Sequence, residues 1–259
     1  MKQTRSIHTR TDNGVLLVTI ERPQVHNALD TSAHRELHEV FDRFSSEDAL
    51  RCAILTGSGT ASFCAGSDLK ERVNAKRDTH PSSGFGGLTR RFDLHKPVIA
   101  AINGAAIGGG FELVLACDLA VAAPHARFCL PEPQVGLTAT GGGGLQRLVR
   151  QLPWKLAVDI ALAGRELTSD EALAYGLINA VAPDGQLLAM AHDYAQRIAR
   201  GAPLAVEASK AVMQRTLSEA DLRTAITHVH PEVERLLDCD QAREGMRAFL
   251  EKRRPDWQR

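Results

Sequence analysis

Two glycine-bearing segments, Phe63-Cys-Ala-Gly-Ser-Asp-Leu69 and Asn103-Gly-Ala-Ala-Ile-Gly-Gly-Gly-Phe-Glu112, hold the residues best suited to chemistry. Each follows an apolar stretch that reads as a buried strand, and the second opens a helix. Glycine lets the backbone turn sharply and approach a ligand closely, while the free amides of a helix start point at bound negative charge. Two such segments can supply two converging N–H donors. An enolate-forming reaction needs this, because charge grows on a carbonyl oxygen and fixed amides stabilise it more in the transition state than in the ground state. Two carboxyl groups lie nearby in sequence: Glu112, just past the glycines on the apolar stretch Phe111 to Cys117, and Glu132, in Leu130-Pro-Glu-Pro133. Taken singly, Gly108-Gly-Gly110 also suits a tight strand-to-helix connection, and a lone glutamate also suits a solvated or helix-capping position.

The elements that must hold these residues are short. Val15 to Ile20, Cys52 to Thr56, Val98 to Ile102 and Leu119 to Ala122 are apolar, bounded by Gly, Pro or charge, and read as buried strands. Between the first two, Leu37, Val40, Phe41 and Phe44 repeat at helical spacing over Thr31 to Phe44, with Asp30 or Thr31 as N-cap. Strands alternating with helices predict an α/β core. From Trp154 the pattern is helical: Trp154 to Leu162, Ser169 to Tyr175, Gln186 to Arg200, Leu204 to Arg215, Ala220 to Leu237 and Gln241 to Lys252, interrupted by a short strand at Asn179 to Val181. Arg72 to Gly87 mixes charges with Pro81-Ser-Ser-Gly84 and shows no periodicity, so a mobile loop is expected there.

A chain of 259 residues, 44% of them hydrophobic, can bury a substantial core, so one domain with a helical appendage is expected. Lys and Arg total 31 and so do Asp and Glu, leaving no global positive field to gather nucleic acid or an anionic membrane. Cys52, Cys64, Cys117, Cys129 and Cys239 are scattered, odd in number and free of any CxxC pair, which fits reduced thiols and a reducing compartment. The polar N-terminus lacks a secretory apolar stretch, and the apolar runs are strand-sized, too short to span a bilayer. A cytoplasmic location is expected.

The order CAGSDL, KPVIAAINGAAIGGGFEL and CDLAVAAPHARFCLPEPQVGL resembles the enoyl-CoA hydratase (crotonase) family. The likeness runs from Glu21-Arg-Pro23 and Asn27-Ala-Leu29 to Glu244-Gly-Met-Arg-Ala-Phe-Leu-Glu-Lys-Arg253, nearly the whole chain. The resemblance implies an α/β fold: a spiral of ββα turns forming two roughly perpendicular sheets over residues 1–200, and a helical trimerisation region over 201–259, with trimers pairing into hexamers. It implies an oxyanion hole made by the backbone amides of Ser67 and Gly109, with Glu112 orienting water and Glu132 donating a proton to carbon. Coenzyme A, part of the substrate rather than a cofactor, would lie against the turn Val25 to Ala28 and against Ala65, Asp68 and Leu69, with Phe249 and Lys252 reaching in from the chain's end. The implied ligand is an acyl-CoA thioester and the implied reaction reversible hydration of an enoyl-CoA. Relatives with the same oxyanion hole isomerise or hydrolyse instead. Gly84-Phe-Gly-Gly-Leu-Thr89 and Gly109-Gly-Phe-Glu-Leu113 look most like the carnitinyl-CoA dehydratase branch. The loop Gly136-Leu-Thr-Ala-Thr-Gly-Gly-Gly-Gly-Leu-Gln146 departs from the shorter Pro-containing turn of many hydratases.

Other signals weigh less. His34-Arg-Glu-Leu-His38 lacks the HExxH order and a third ligand, so an exposed polar face, not a metal site, is expected. Gly57-Ser-Gly59 lacks the rest of a dinucleotide fingerprint and reads as a turn. No GxSxG elbow surrounds any serine, and Cys64 has no evident histidine partner, which disfavours covalent catalysis.

Overall fold

The four apolar stretches form neighbouring strands of one sheet. In the computed structural model, which describes residues 5–73 and 80–257, β1 (Ile7–Asp12), β2 (Val15–Ile20), β3 (Cys52–Gly57), β5 (Val98–Ile102), β7 (Leu119–Ala122) and β10 (Ala180–Val181) lie in that spatial order. Only β1 runs antiparallel to its neighbour. A second sheet takes β4 (Ser62–Cys64), β6 (Ala105–Ile107), β8 (Arg127–Cys129) and β9 (Leu167–Thr168). The chain therefore alternates between sheets, β3 then β4, β5 then β6, β7 then β8, as the expected ββα spiral requires.

The continuous burial of β3 and β5 reflects a cover on both faces, as parallel sheets require. One cover is α1 (Thr31–Ser46), whose Asp30 side chain accepts the Ala33 amide at 2.8 Å as N-cap and whose Ala33, Leu37, Phe41 and Phe44 enter the main core. The other is α7 (Leu187–Ala199), where Ala191 and Ala195 pack on Val15, Ile54, Ile99 and Val121. Between them in sequence come α2 (Leu69–Arg72), α3 (Gly109–Ala116), α4 (Gly144–Gln151), α5 (Trp154–Ala163) and α6 (Ser169–Ala174). The chain ends in α8 (Pro203–Thr216), α9 (Leu222–Thr227), α10 (Pro231–Asp238) and α11 (Asp240–Leu250). The single helix expected over Ala220 to Leu237 is two, because Pro231 starts a new helix instead of continuing the old one. From α8, Lys210 reaches Asp118 at 2.7 Å and the Lys96 carbonyl at 3.0 Å, tying the helical region to the starts of β5 and β7.

Two expectations are corrected. Within Arg72 to Gly87, residues 74–79 lie outside the described residues, but 80–87 is a packed wall rather than a mobile loop. Phe85 is 1% exposed, and the Gly86 amide donates to His34 Nδ1 at 3.0 Å. Accordingly, His34 is not on an exposed polar face: it is 2% exposed, and His38 Nδ1 pairs with Ser83 Oγ at 2.8 Å. The two histidines clamp that wall to α1, and no His/Cys/Asp/Glu cluster able to hold a metal ion occurs among the described residues. No described helix is long and apolar enough to cross a membrane.

Candidate active site

The parallel register of the smaller sheet brings the chemical residues together. Cys64 pairs with Ala106 and Ile107 with Cys129, so the segments leaving β4, β6 and β8 emerge side by side. The Gly108 amide donates to the Cys129 carbonyl at 2.9 Å and fastens the second to the third. At this C-terminal edge, where ligands of parallel sheets usually bind, lies a cavity of about 200 Å³. Its lining includes Ala65, Ser67, Leu69, Gly109, Glu112 and Glu132.

Gly66, at φ +90°, lets the first segment close on the second, since a Cβ there would stand 3.1 Å from the Gly109 nitrogen. Ser67 and Gly109 are thereby held at one end of the cavity, Gly109 as the first residue of α3. Among the described residues, no acceptor meets either amide. Both N–H groups can serve a carbonyl oxygen brought by a ligand.

The glutamates occupy different environments. Glu112, in the first turn of α3 and 3% exposed, accepts the Gly142 amide at 2.9 Å on Oε2 and the Gly144 amide at 2.8 Å on Oε1. Burial raises its titration, and those two amides, then the Arg147 and Arg72 charges, oppose the rise. Glu132 starts a 3-10 turn just after β8. A Cβ on Gly108 would come within 2.9 Å of its Oε1, so the carboxyl sits over the turn into α3. Its buried Oε2 has no hydrogen-bond partner among the described residues. Burial raises its titration too, and the Glu112 charge adds to the rise. Both carboxyls therefore hold their protons more tightly than solvated ones would. So does Cys64: burial pushes its thiol up to about 12.

A family model described as enoyl-CoA hydratase/isomerase matches residues 10–259. The chain belongs to that family. Among curated relatives, the carnitinyl-CoA dehydratase of Proteus mirabilis (strain HI4320) is 41% identical over 263 residues, covering 98% of this chain and 98% of its own. That of Escherichia coli (strain K12) is 40% identical over 261 residues, with the same coverage. Among solved structures, an enoyl-CoA hydratase from Mycobacterium marinum superposes with a TM-score of 0.91 at 36% identity, over 97% of this chain and 98% of that one. An enoyl-CoA hydratase from Mycobacterium tuberculosis H37Rv gives a TM-score of 0.90 at 36% identity, over 98% of each chain. These neighbours and the two-sheet topology establish the crotonase fold expected from the motifs.

Among the residues expected to meet coenzyme A, Ala65 and Leu69 line the cavity, while Val25, Ala28 and Asp68 do not. The His26 carbonyl accepts the Ala65 amide at 3.1 Å, the Leu29 carbonyl accepts the Asp68 amide at 2.9 Å, and the Asp68 side chain caps α2 through the Lys70 amide. Phe249, at the end of α11 and 83% exposed, and Lys252 beyond it do not line the cavity of their own chain. The wall that packs against Gly109 went unread in the sequence. His80 and Phe85 line it, and with His34 they form an edge-on cluster, with ring centroids 4.6 Å apart for His34–His80 and 5.2 Å for His80–Phe85. Burial, then the His80 charge, lowers His34 to about 3, keeping it neutral. One signal could have revealed this: His34 shares a helical face with Leu37, Phe41 and Phe44.

The raised titration of Glu132 carries a stability consequence in this hydratase-family site. Its folded value lies above the ordinary 4.5, so the fold binds that proton more tightly than the unfolded chain does. Stability is therefore lost as pH rises from about 4.5 through the folded value, and the deficit is complete above it. Glu132→Gln removes this titration. Its unfolding midpoint, relative to the unsubstituted protein, is expected to rise progressively as the pH is raised above the ordinary carboxyl value of 4.5; a pH-independent difference would contradict the assignment.

Proposed function

We propose that the chain catalyses reversible addition of water across the 2,3 double bond of an enoyl-CoA thioester, acting as a hydro-lyase. The observation that carries this reading is the juxtaposition, in one cavity, of two carboxyls with raised titrations and two backbone amides free to meet a carbonyl oxygen. Ionised Glu112 takes a proton from water as the water oxygen bonds to C3. The π electrons move through C2 to the thioester oxygen, whose negative charge rests on the Ser67 and Gly109 amides. The enolate then collapses as protonated Glu132 delivers its proton to C2, giving a 3-hydroxyacyl-CoA, and the reverse sequence is dehydration. One proton enters the pair and one leaves, so exchange between the carboxyls restores the start. Coenzyme A is carried by the substrate, and the sequence uses no separate cofactor.

The dehydratase names of the relatives at 40–41% identity support a finer reading, in which a carnitinyl-CoA-type 3-hydroxyacyl thioester is dehydrated. A homo-trimer, or a hexamer of paired trimers, fits the apolar side chains exposed on the last helices, including Leu222, Ile226, Leu237, Phe249 and Leu250. In that assembly Phe249 and Lys252 reach a neighbouring subunit's coenzyme A. Five free cysteines fit work in the cytoplasm.

The test is a panel of 2-enoyl-CoA, 3-enoyl-CoA and 3-hydroxyacyl-CoA thioesters, carnitinyl-CoA included, followed at the enoyl absorbance. Hydration of at least one 2-enoyl-CoA, or dehydration of its 3-hydroxy partner, is expected. Turnover confined to 3-enoyl-CoA would make the enzyme an isomerase, and saturable binding with no turnover would make it a carrier.

A further inference from the structure

The seat of Glu112 is itself built on another residue. Both amides that hold its carboxylate belong to the loop entering α4, and that loop has little of its own to fix it beyond turn contacts such as Gly143 N–H to Thr140 O at 3.2 Å and Leu145 N–H to Ala139 O at 3.0 Å. One turn into α4 stands Arg147. Its Nη1 donates to the Gly142 carbonyl at 2.8 Å, on the residue whose amide holds Glu112 Oε2. Its Nη2 donates to the Thr89 carbonyl at 2.6 Å. Thr89 continues the wall that carries His80 and Phe85, and its amide bonds the Phe85 carbonyl at 3.3 Å.

We infer that Arg147 is a positioning residue for the reaction: its planar fork spans the glycine loop and the Phe85 wall and fixes Glu112 from behind. The inference rests on the hydratase reading above for its catalytic consequence. A guanidinium suits the task because its two arms diverge in one plane toward two carbonyls of fixed separation, which an ammonium cannot match. Among the described residues, Arg147 and Arg72 favour the ionised form of Glu112, and Glu132 and His80 share its cavity. Burial lowers the titration of Arg147 itself, while the Glu112 charge raises it, so the two groups answer each other. Among the described residues, no guanidinium donates to the backbone behind Glu132 as Arg147 does behind Glu112, in keeping with the acid role proposed for Glu132.

Fork and charge separate in two substitutions of the full-length protein, Arg147→Lys and Arg147→Met. Both are expected to lower kcat by about 10- to 10²-fold on whichever thioester the unsubstituted enzyme turns over, because a small displacement of the base suffices for that loss. KM should stay within about threefold, since the Ser67 and Gly109 amides are untouched. The acidic limb of the kcat profile should move to higher pH in Arg147→Met, where the neutral form of Glu112 gains, and stay in place in Arg147→Lys. Infrared titration of the carboxyl bands, with Glu112→Gln identifying the band, should show the same upward movement in Arg147→Met alone. That readout needs no turnover, so it decides the electrostatic role even if the panel finds no hydratase activity, an outcome that sinks the reaction and not the role. If Arg147→Met does not fold, Arg147→Lys decides. Unsubstituted kcat in Arg147→Lys, or an unmoved Glu112 titration in a folded Arg147→Met, overturns the inference.

Discussion

Glu112→Gln and Glu132→Gln are each expected to lose about 10²- to 10⁴-fold in kcat, the usual contribution of a general acid or base, with the double variant losing far less than the product. Each carboxyl handles one proton of a single relay, so removing either stops the same sequence, and removing the second takes away little that remains. The two should differ in stability. Both Glu112 oxygens accept backbone N–H groups, from Gly144 and Gly142. A glutamine amide can supply an acceptor to only one of them, and its NH2 must face the other donor, which costs on the order of 1–3 kcal/mol in a buried site. Glu132 Oε2 meets no such donor among the described residues, so Glu132→Gln should fold at least as well as the unsubstituted protein at neutral pH. Steady-state kinetics with thermal melts reads both effects. If Glu132→Gln hydrates at the unsubstituted rate while Glu112→Gln is inactive, one carboxylate suffices and the two-carboxylate relay fails.

The strands legible in the sequence are those buried on both faces. β2, β3, β5 and β7 are four to six residues long and almost wholly apolar, because helices cover the larger sheet on each side. The strands that went unread are two or three residues long: β4, β6, β8 and β9. No periodicity exists in Arg127-Phe-Cys129, and its strand character comes from partners at Ala105 to Ile107, far away in sequence. β1 was hidden for the opposite reason. It is an edge strand in which only Ile7 is buried, and its polar IHTRTD pattern resembles a tail.

At the site, the glycine segments and both glutamates were readable because their chemistry needs particular residue types in sequence order. The residues behind them were not, because their work is done by backbone atoms. Gly142 and Gly144 act through N–H groups and Thr89 through a carbonyl, and any residue type carries those. The extra glycines of Gly141 to Gly144 stood out as a departure from the family's turn, yet only the fold shows that they bring two amides to Glu112. Segment 80–87 shows how burial can escape composition: Pro, Ser and Gly suggest solvent, but Phe85 is held between His34, His80 and the start of α3.

Gly109→Ala is expected to lower kcat by about 10²- to 10³-fold, the loss typical of disabling one oxyanion donor. A Cβ on Gly109 would lie 2.4 Å from Cζ of Phe85, inside any tolerable contact, so one of the two must move. Phe85 has little room, since it is buried edge-on against His34 and His80 at centroid distances of 4.6 and 5.2 Å. The helix start therefore yields, and the Gly109 amide leaves the position from which it meets the developing oxyanion. Ser67→Ala is the control: its contribution runs through the backbone, so turnover should stay within about threefold. Shrinking the obstruction tests the cause directly. Phe85→Leu combined with Gly109→Ala frees the space that the new methyl needs, and should recover at least about tenfold of the lost kcat even though Phe85→Leu alone brings no gain. If the double variant is no better than Gly109→Ala, steric displacement of the amide by Phe85 is not the reason that this position is glycine. A deep loss of activity in Ser67→Ala would instead move the chemistry from the backbone to the hydroxyl.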